Sequence, residues 1–194
     1  MTTPVPDPLE PGAAALPESA AVPTQPARRA RFARPLELGI IGIVVAIDQI
    51  TKALVRANLQ LGESRTVIAG FLDFAHVQNT GAAFGMLNDV DFPYKPFVIV
   101  VIAAIALLAI AAYGAQLGFH DRIARVGLAM ILGGAFGNLV DRAFAGHVVD
   151  FVEVYWRNLH FWAFNVADAA ITVGAILVIL DTLGVGRRHA SHPV

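Results

Sequence analysis

Two aspartates, Asp141 and Asp168, lie near the ends of two strongly apolar segments, where an ionised carboxylate is costly. Two carboxylates a few ångströms apart cannot both ionise easily, so such a pair shares one proton. One member can then take a proton from water while the other, protonated, polarises a carbonyl group. These residues therefore predict hydrolysis of a peptide bond by a pair of aspartates.

Each aspartate has an asparagine nearby in the sequence. Asn138 and Asn165 each precede an aspartate by three residues, so on a helix each would share a face with it and could orient it. The alternative role for each asparagine is a hydrogen bond between helices. Asp48 has Lys52 one helical turn later and can pair with it, which predicts a supporting role for Asp48 rather than a catalytic one.

Composition places this chemistry in a membrane. The 194 residues are 56% hydrophobic and 15% charged, and the mean hydropathy is +0.62, whereas soluble domains have about 25% charged residues. A net charge of −1 argues against nucleic acid as a partner. The chain has no cysteine, which excludes disulfides and thiolate catalysis, and the six histidines lack ligand spacing. We expect neither a metal nor a cofactor.

The chain is predicted to be an all-α membrane protein with four transmembrane helices and a small extracytoplasmic β-containing platform. Each span approaches the roughly 20 residues that cross a hydrocarbon core. The predicted spans are 36–55, 97–115, 123–141 and 164–183, within one peptidase domain at 35–184. A Pro-rich segment, 1–34, is predicted to be a disordered cytoplasmic tail, and 185–194 a cytoplasmic C-terminal tail. A β-leaning stretch at 66–77 and an aromatic-rich loop at 142–163 would form the platform.

Basic residues predict the orientation. Eight arginines fall on one side of the spans: Arg28, Arg29, Arg31, Arg34, Arg122, Arg125, Arg187 and Arg188. The positive-inside rule makes this side cytoplasmic, so both termini would be cytoplasmic. Asp141 and Asp168 would then share one layer just below the outer face.

Five motifs in this order resemble the lipoprotein signal peptidase family, bacterial signal peptidase II. They are Asp48–Lys52, Asn79–Gly85, Gly133–Arg142, Val149–Phe151 and Phe164–Asp168. The resemblance covers residues 36 to 183. It implies an aspartic endopeptidase of the bacterial cytoplasmic membrane that cleaves the signal peptide from diacylglyceryl-modified prolipoproteins, N-terminal to the lipidated cysteine.

The resemblance also implies roles for particular residues. Asp141 and Asp168 match the catalytic pair, and the supporting or substrate-binding positions are Asp48, Lys52, Asn79, Gly81, Asn138, Arg142 and Asn165. The expected partners are a lipid-modified prolipoprotein, membrane lipids and a globomycin-type inhibitor.

Two other functions would use the same aspartates differently. A small proton-coupled transporter could employ them as a relay, but a relay should spread titratable groups through the bilayer. The middle of the second span has none, and the fourth has none between Asp168 and Asp181. A structural assembly subunit would not need the aspartates at all.

Overall fold

A computed structural model describes residues 34–81, 92–118, 120–157 and 159–184. Within them, helices and strands follow in the order α1 (Pro35–Asn58), β1 (Ser64–Ile68), β2 (Leu72–Asn79), α2 (Lys95–Gly114), α3 (Arg122–Ala145), β3 (Val148–Trp156), β4 (Leu159–His160) and α4 (Val166–Thr182). The two predicted tails lie outside the described residues, apart from Arg34, which caps the N-terminus of α1.

The helices match the four predicted spans closely in position. By length and composition, three of the described helices, α1, α2 and α3, can cross a membrane. Helix α4 is apolar but has only 17 residues, so the fourth crossing stays a prediction. The fold is thus four helices joined to a small antiparallel sheet, as far as the chain is described.

The sheet has the strand order β1-β2-β3-β4, with antiparallel neighbours. Strands β2 and β3 pair from Leu72 with Val154 to Asn79 with Val148, across one register shift. Strand β3 begins only three residues after α3 ends, and α4 follows β4 closely. The sheet is therefore fixed to the ends of the two helices that carry Asp141 and Asp168.

Helix α3 is central and packs against α1, α2 and α4. Its glycines permit this close packing: a Cβ at Gly137 would lie 2.7 Å from Asp48 Oδ2, and one at Gly133 would lie 2.9 Å from Val44 Cβ. The Gly133/Gly137 spacing therefore allows close helix packing.

Two helix ends differ from the prediction. Helix α3 does not stop at Asp141 but continues to Ala145, because Arg142 to Ala145 are compatible with a helix and Gly146, at φ 76°, terminates it. Helix α4 begins later than predicted, since Asn165 is extended and caps it. Asp141 consequently lies about one turn inside its helix.

Candidate active site

The buried ammonium group of Lys52 is surrounded by three oxygens. Its Nζ lies 2.8 Å from Asp48 Oδ2 and 2.8 Å from Asp141 Oδ2, and it donates a hydrogen bond of 2.9 Å to Asn138 Oδ1. Lys52 and Asp48 are both 0% exposed. The predicted pairing of Asp48 with Lys52 is confirmed, and the pair joins α1 to α3.

Asp48 also holds the start of α4. The Ala167 backbone N–H donates to Asp48 Oδ1 at 3.0 Å. A carboxylate near the first turn of a helix satisfies an otherwise unpaired N–H and interacts favourably with the helix dipole. Asp48 therefore has a structural position between three helices, in agreement with a supporting role.

Asp141 lies next to two basic side chains, Lys52 and Arg56. Besides Lys52, its carboxylate accepts a hydrogen bond from Gln49 Nε2 at 3.3 Å and lies 3.9 Å from the Arg56 guanidinium. The 2.8 Å contact with Lys52 is an ion pair without the alignment of a hydrogen bond. These contacts hold the Asp141 carboxylate beside two cations, which attract it. Asp141 reaches Asp168 through Lys52 and Asn138.

Asp168 is connected instead to Asp150 on β3, through two asparagine amides. Asn138 Nδ2 donates to Asp168 Oδ1 at 2.8 Å, and Asn165 Nδ2 donates to Asp150 Oδ1 at 2.7 Å. Asn165 Nδ2 also contacts Asn138 Oδ1 at 3.2 Å. Asp168 and Asp150 are therefore connected through the hydrogen-bonded side-chain amides of Asn138 and Asn165.

Asn165 orients Asp168 by capping α4. Its Oδ1 accepts from the Asp168 backbone N–H at 3.0 Å, and its own backbone N–H donates to Asp168 Oδ2 at 3.3 Å. This reciprocal pattern is a capping box. Asn165 was expected to share a helical face with Asp168; it lies just outside the helix because its side chain caps the helix.

Asp150 has the electrostatic environment of a proton-sharing group. Burial raises the pKa of its carboxyl to about 6, and the neighbouring Asp168 carboxylate also raises it. Hydrogen bonds from Asn79 and Asn165, together with the charge of Lys52, act in the opposite direction. A carboxyl with this pKa can hold a proton near neutral pH and release it during a reaction.

The remaining predicted residues lie on the other side of Asp150. Asn79 Nδ2 donates to Asp150 Oδ2 at 3.0 Å, and Asn79 Oδ1 accepts from the Gly81 N–H at 3.0 Å. The Arg142 guanidinium donates to the Gly81 carbonyl at 2.8 Å. Residues 82–85 of this motif lie outside the described residues.

The sequence predicts an outer loop around Asp150, and the catalytic candidates came only from the predicted helical spans. Asp150 was therefore missed. The missed signal was local: Asp150 is a lone carboxylate between apolar neighbours in Val148–Phe151, all of which are buried. A charge inside a strand with both faces buried has the same desolvation cost as one in a helix.

Comparisons with known proteins agree on one family. A family model described as signal peptidase (SPase) II matches residues 40–184. The lipoprotein signal peptidase of Solibacter usitatus is 42% identical over 153 residues, covering 79% of this chain and 93% of that protein. That of Maridesulfovibrio salexigens is 44% identical over 144 residues, covering 74% and 92%.

Solved structures give the same result for the fold. One described as a bacterial membrane enzyme matches with a TM-score of 0.70 and 30% identity, covering 82% of this chain and 94% of that chain. A second with the same description has a TM-score of 0.67 and 31% identity, with coverage of 76% and 92%. The similarity therefore includes both the helices and the sheet.

Replacing Lys52 should destabilise the fold strongly. Lys52→Met leaves Asp48 and Asp141 buried without their cation, which costs about 3–5 kcal/mol. We expect a large fall in the detergent unfolding temperature, whereas Arg56→Met, which removes a half-exposed cation 3.9 Å from Asp141, should have a small effect. The triple variant Lys52→Met/Asp48→Asn/Asp141→Asn should recover part of the loss. Equal unfolding temperatures for the two single variants would contradict this role.

Proposed function

The chain belongs to the signal peptidase II family, and we propose that it is an aspartic endopeptidase whose catalytic carboxylates are Asp150 and Asp168. It is a membrane enzyme that cleaves the signal peptide from prolipoproteins, as its family and its similarity to lipoprotein signal peptidases establish. The aspartic mechanism and the choice of carboxylates rest on the contacts described above.

One observation carries the choice of carboxylates: Asn165 contacts both Asp150 and Asp168, whereas Asp141 is held by Lys52. A pair that shares a proton must be close together and free of a permanent countercharge. Asp141, the partner that the sequence predicts for Asp168, is instead ion-paired with Lys52. We therefore assign Asp141 to the support of Lys52 and Asn138.

The two carboxylates would divide the reaction between them. Asp150, 2% exposed and with a raised pKa, holds the shared proton and donates a hydrogen bond to the scissile carbonyl oxygen. Asp168, half-buried at the start of α4, accepts a proton from the attacking water. The water oxygen bonds to the carbonyl carbon, the carbon–nitrogen bond then breaks, and the departing amine receives the proton from Asp168.

The position of the pair suits a substrate that is itself held in the membrane. Asp150 and Asp168 lie where β3 and α4 begin, at the end of the bundle where α1 ends. With both termini cytoplasmic and four crossings, this end is extracytoplasmic. A diacylglyceryl group on the substrate cysteine would keep the scissile bond at the same depth and reduce the entropic cost of positioning it.

The proposed site suggests how the expected inhibitor would act, and the family assignment argues against a transporter. A globomycin-type cyclic peptide would compete with the substrate by occupying the space beside Asp150 and Asp168. A proton-coupled transporter could use carboxylates too, but membership of a peptidase family favours hydrolysis.

Asp150→Asn and Asp168→Asn should each abolish cleavage, because an amide can neither share the proton nor act as a base. We expect rates per folded molecule to fall about 10²–10⁴-fold in a detergent assay with a diacylglyceryl-modified prolipoprotein. Asp181→Asn, on α4 about 20 Å from Asp168, is the matched control and should keep full activity. Binding of globomycin should compete with substrate in the control variant.

Asp141→Asn distinguishes the two possible partners of Asp168. It removes a carboxylate next to Lys52 and should lower the unfolding temperature while the folded enzyme still cleaves. If folded Asp141→Asn were inactive and Asp150→Asn active, Asp141 would be the partner. Full activity of Asp168→Asn would refute both pairs.

The pH dependence should report the proton held by Asp150. Because the active pair contains one proton, kcat/KM should fall as the pH rises through the pKa of its release. Asn79→Ala removes a hydrogen bond that stabilises ionised Asp150, so the pKa rises and the alkaline limb moves upward. A hydrogen bond contributes about 1 kcal/mol, which corresponds to about 0.7 pH units. Gln78→Ala, an exposed neighbour, should leave the limb unchanged; identical limbs in both variants would count against this assignment.

The orientation can be tested because the chain has no cysteine. We expect a membrane-impermeant maleimide to label Leu61→Cys, in the loop after α1, in intact cells. Gln116→Cys, between α2 and α3, should react only after the membrane is opened. The reverse pattern would place the active site on the cytoplasmic side.

A further inference from the structure

The β3–β4 hairpin carries an apolar surface that the active site does not use. We define this hairpin surface as Trp156, Leu159, Phe161 and Trp162, which are 63%, 77%, 57% and 65% exposed. Exposed apolar side chains in a cluster normally mark a contact with another phase or partner. Arg157 lies at the turn, and residues 155–164 contain no Asp or Glu.

The topology holds this hairpin at the end of the helix bundle. Strand β3 begins three residues after α3 ends, and α4 begins six residues after β4 ends. The start of β3 pairs with Asn79 of β2. The hairpin turn therefore lies at the other end of β3, away from Asn79. Phe71, in the turn between β1 and β2, makes an edge contact with Trp156, at 6.4 Å between ring centroids.

The depth of the sheet follows from its contact with α1. A cavity of about 320 Å³ lies between the last turns of α1, Thr51 to Leu59, and the sheet residues Phe74 and Phe151. Helix α1 is about 36 Å long, and the hydrocarbon core is about 30 Å thick. The last turns of α1 therefore lie at or just below the membrane surface, and the sheet beside them lies at that level.

We infer that the hairpin surface inserts into the phospholipid interface at the membrane face where α1 ends. Tryptophan is enriched at this interface because its ring is apolar while its N–H can reach water or headgroups. The positive charge of Arg157 complements anionic headgroups, and residues 155–164 contain no carboxylate that would repel them. Asp150 lies six residues before Trp156 on the same strand, so this insertion would fix the depth of the catalytic strand.

The chain offers a direct test, because Trp156 and Trp162 are its only two tryptophans. The full-length protein would be reconstituted in phosphatidylglycerol-containing vesicles whose acyl chains carry bromine near the headgroup or near the chain end. We expect bromine near the headgroup to quench the fluorescence at least twofold more than bromine near the chain end. Acrylamide in the water should quench weakly. Trp156→Phe and Trp162→Phe assign the signal to each ring while preserving the apolar surface.

Two variants calibrate the depth scale in a background that lacks both native tryptophans. Ile105→Trp, on the exposed face near the middle of α2, should be quenched most by bromine near the chain end. Leu61→Trp, in the exposed loop after α1, should be quenched most by acrylamide. If the native tryptophans behaved like Leu61→Trp, the hairpin surface would face water and be available to a protein partner. Behaviour like Ile105→Trp would mean burial in the core; either result would overturn the inference.

Discussion

The buried ammonium group of Lys52 is the constraint on which the rest of this structure depends. Removing an ion from water costs several kcal/mol, which is offset only when oxygens of good geometry surround it. Those oxygens come from Asp48 on the same helix and from Asp141 and Asn138 on α3. Two of the three oxygens therefore reach Lys52 only when α1 and α3 are packed together, and Asp48 extends the arrangement to α4 through the Ala167 N–H.

In the proposed mechanism, the network separates carboxylates that stabilise the fold from carboxylates that react. Asp48 and Asp141 share one cation, Lys52. Beyond Asn138 and Asn165, Asp150 and Asp168 are held by amide donors rather than by a direct salt bridge. Amides orient a carboxylate without fixing its charge as firmly as an ammonium does. The asparagines thus let one network contain both kinds of carboxylate.

The sequence predicted the features that depend on local pattern. Apolar length located the helices, and the i, i+4 spacing of Asp48 and Lys52 predicted their ion pair. The proposed partner of Asp168, Asp150, could not be obtained in this way, because its position depends on how β3 returns to the bundle. Asp141 and Asp150 are each preceded by two apolar residues; only the three-dimensional arrangement shows which one pairs with Lys52. Helix ends were missed where a cap decides them, at Gly146 and Asn165.

A strand in the proposed active site of a membrane enzyme needs a physical explanation, because lipid cannot satisfy open backbone groups. Strand β3 meets this requirement by pairing with β2 on one side and β4 on the other, while Phe164 forms a further bridge to Val152. With this pairing, β3 carries Asp150 to Asn165 at the start of α4. The small sheet therefore brings a carboxylate from outside the helices to the amides that contact Asp168, on a strand that is paired on both sides.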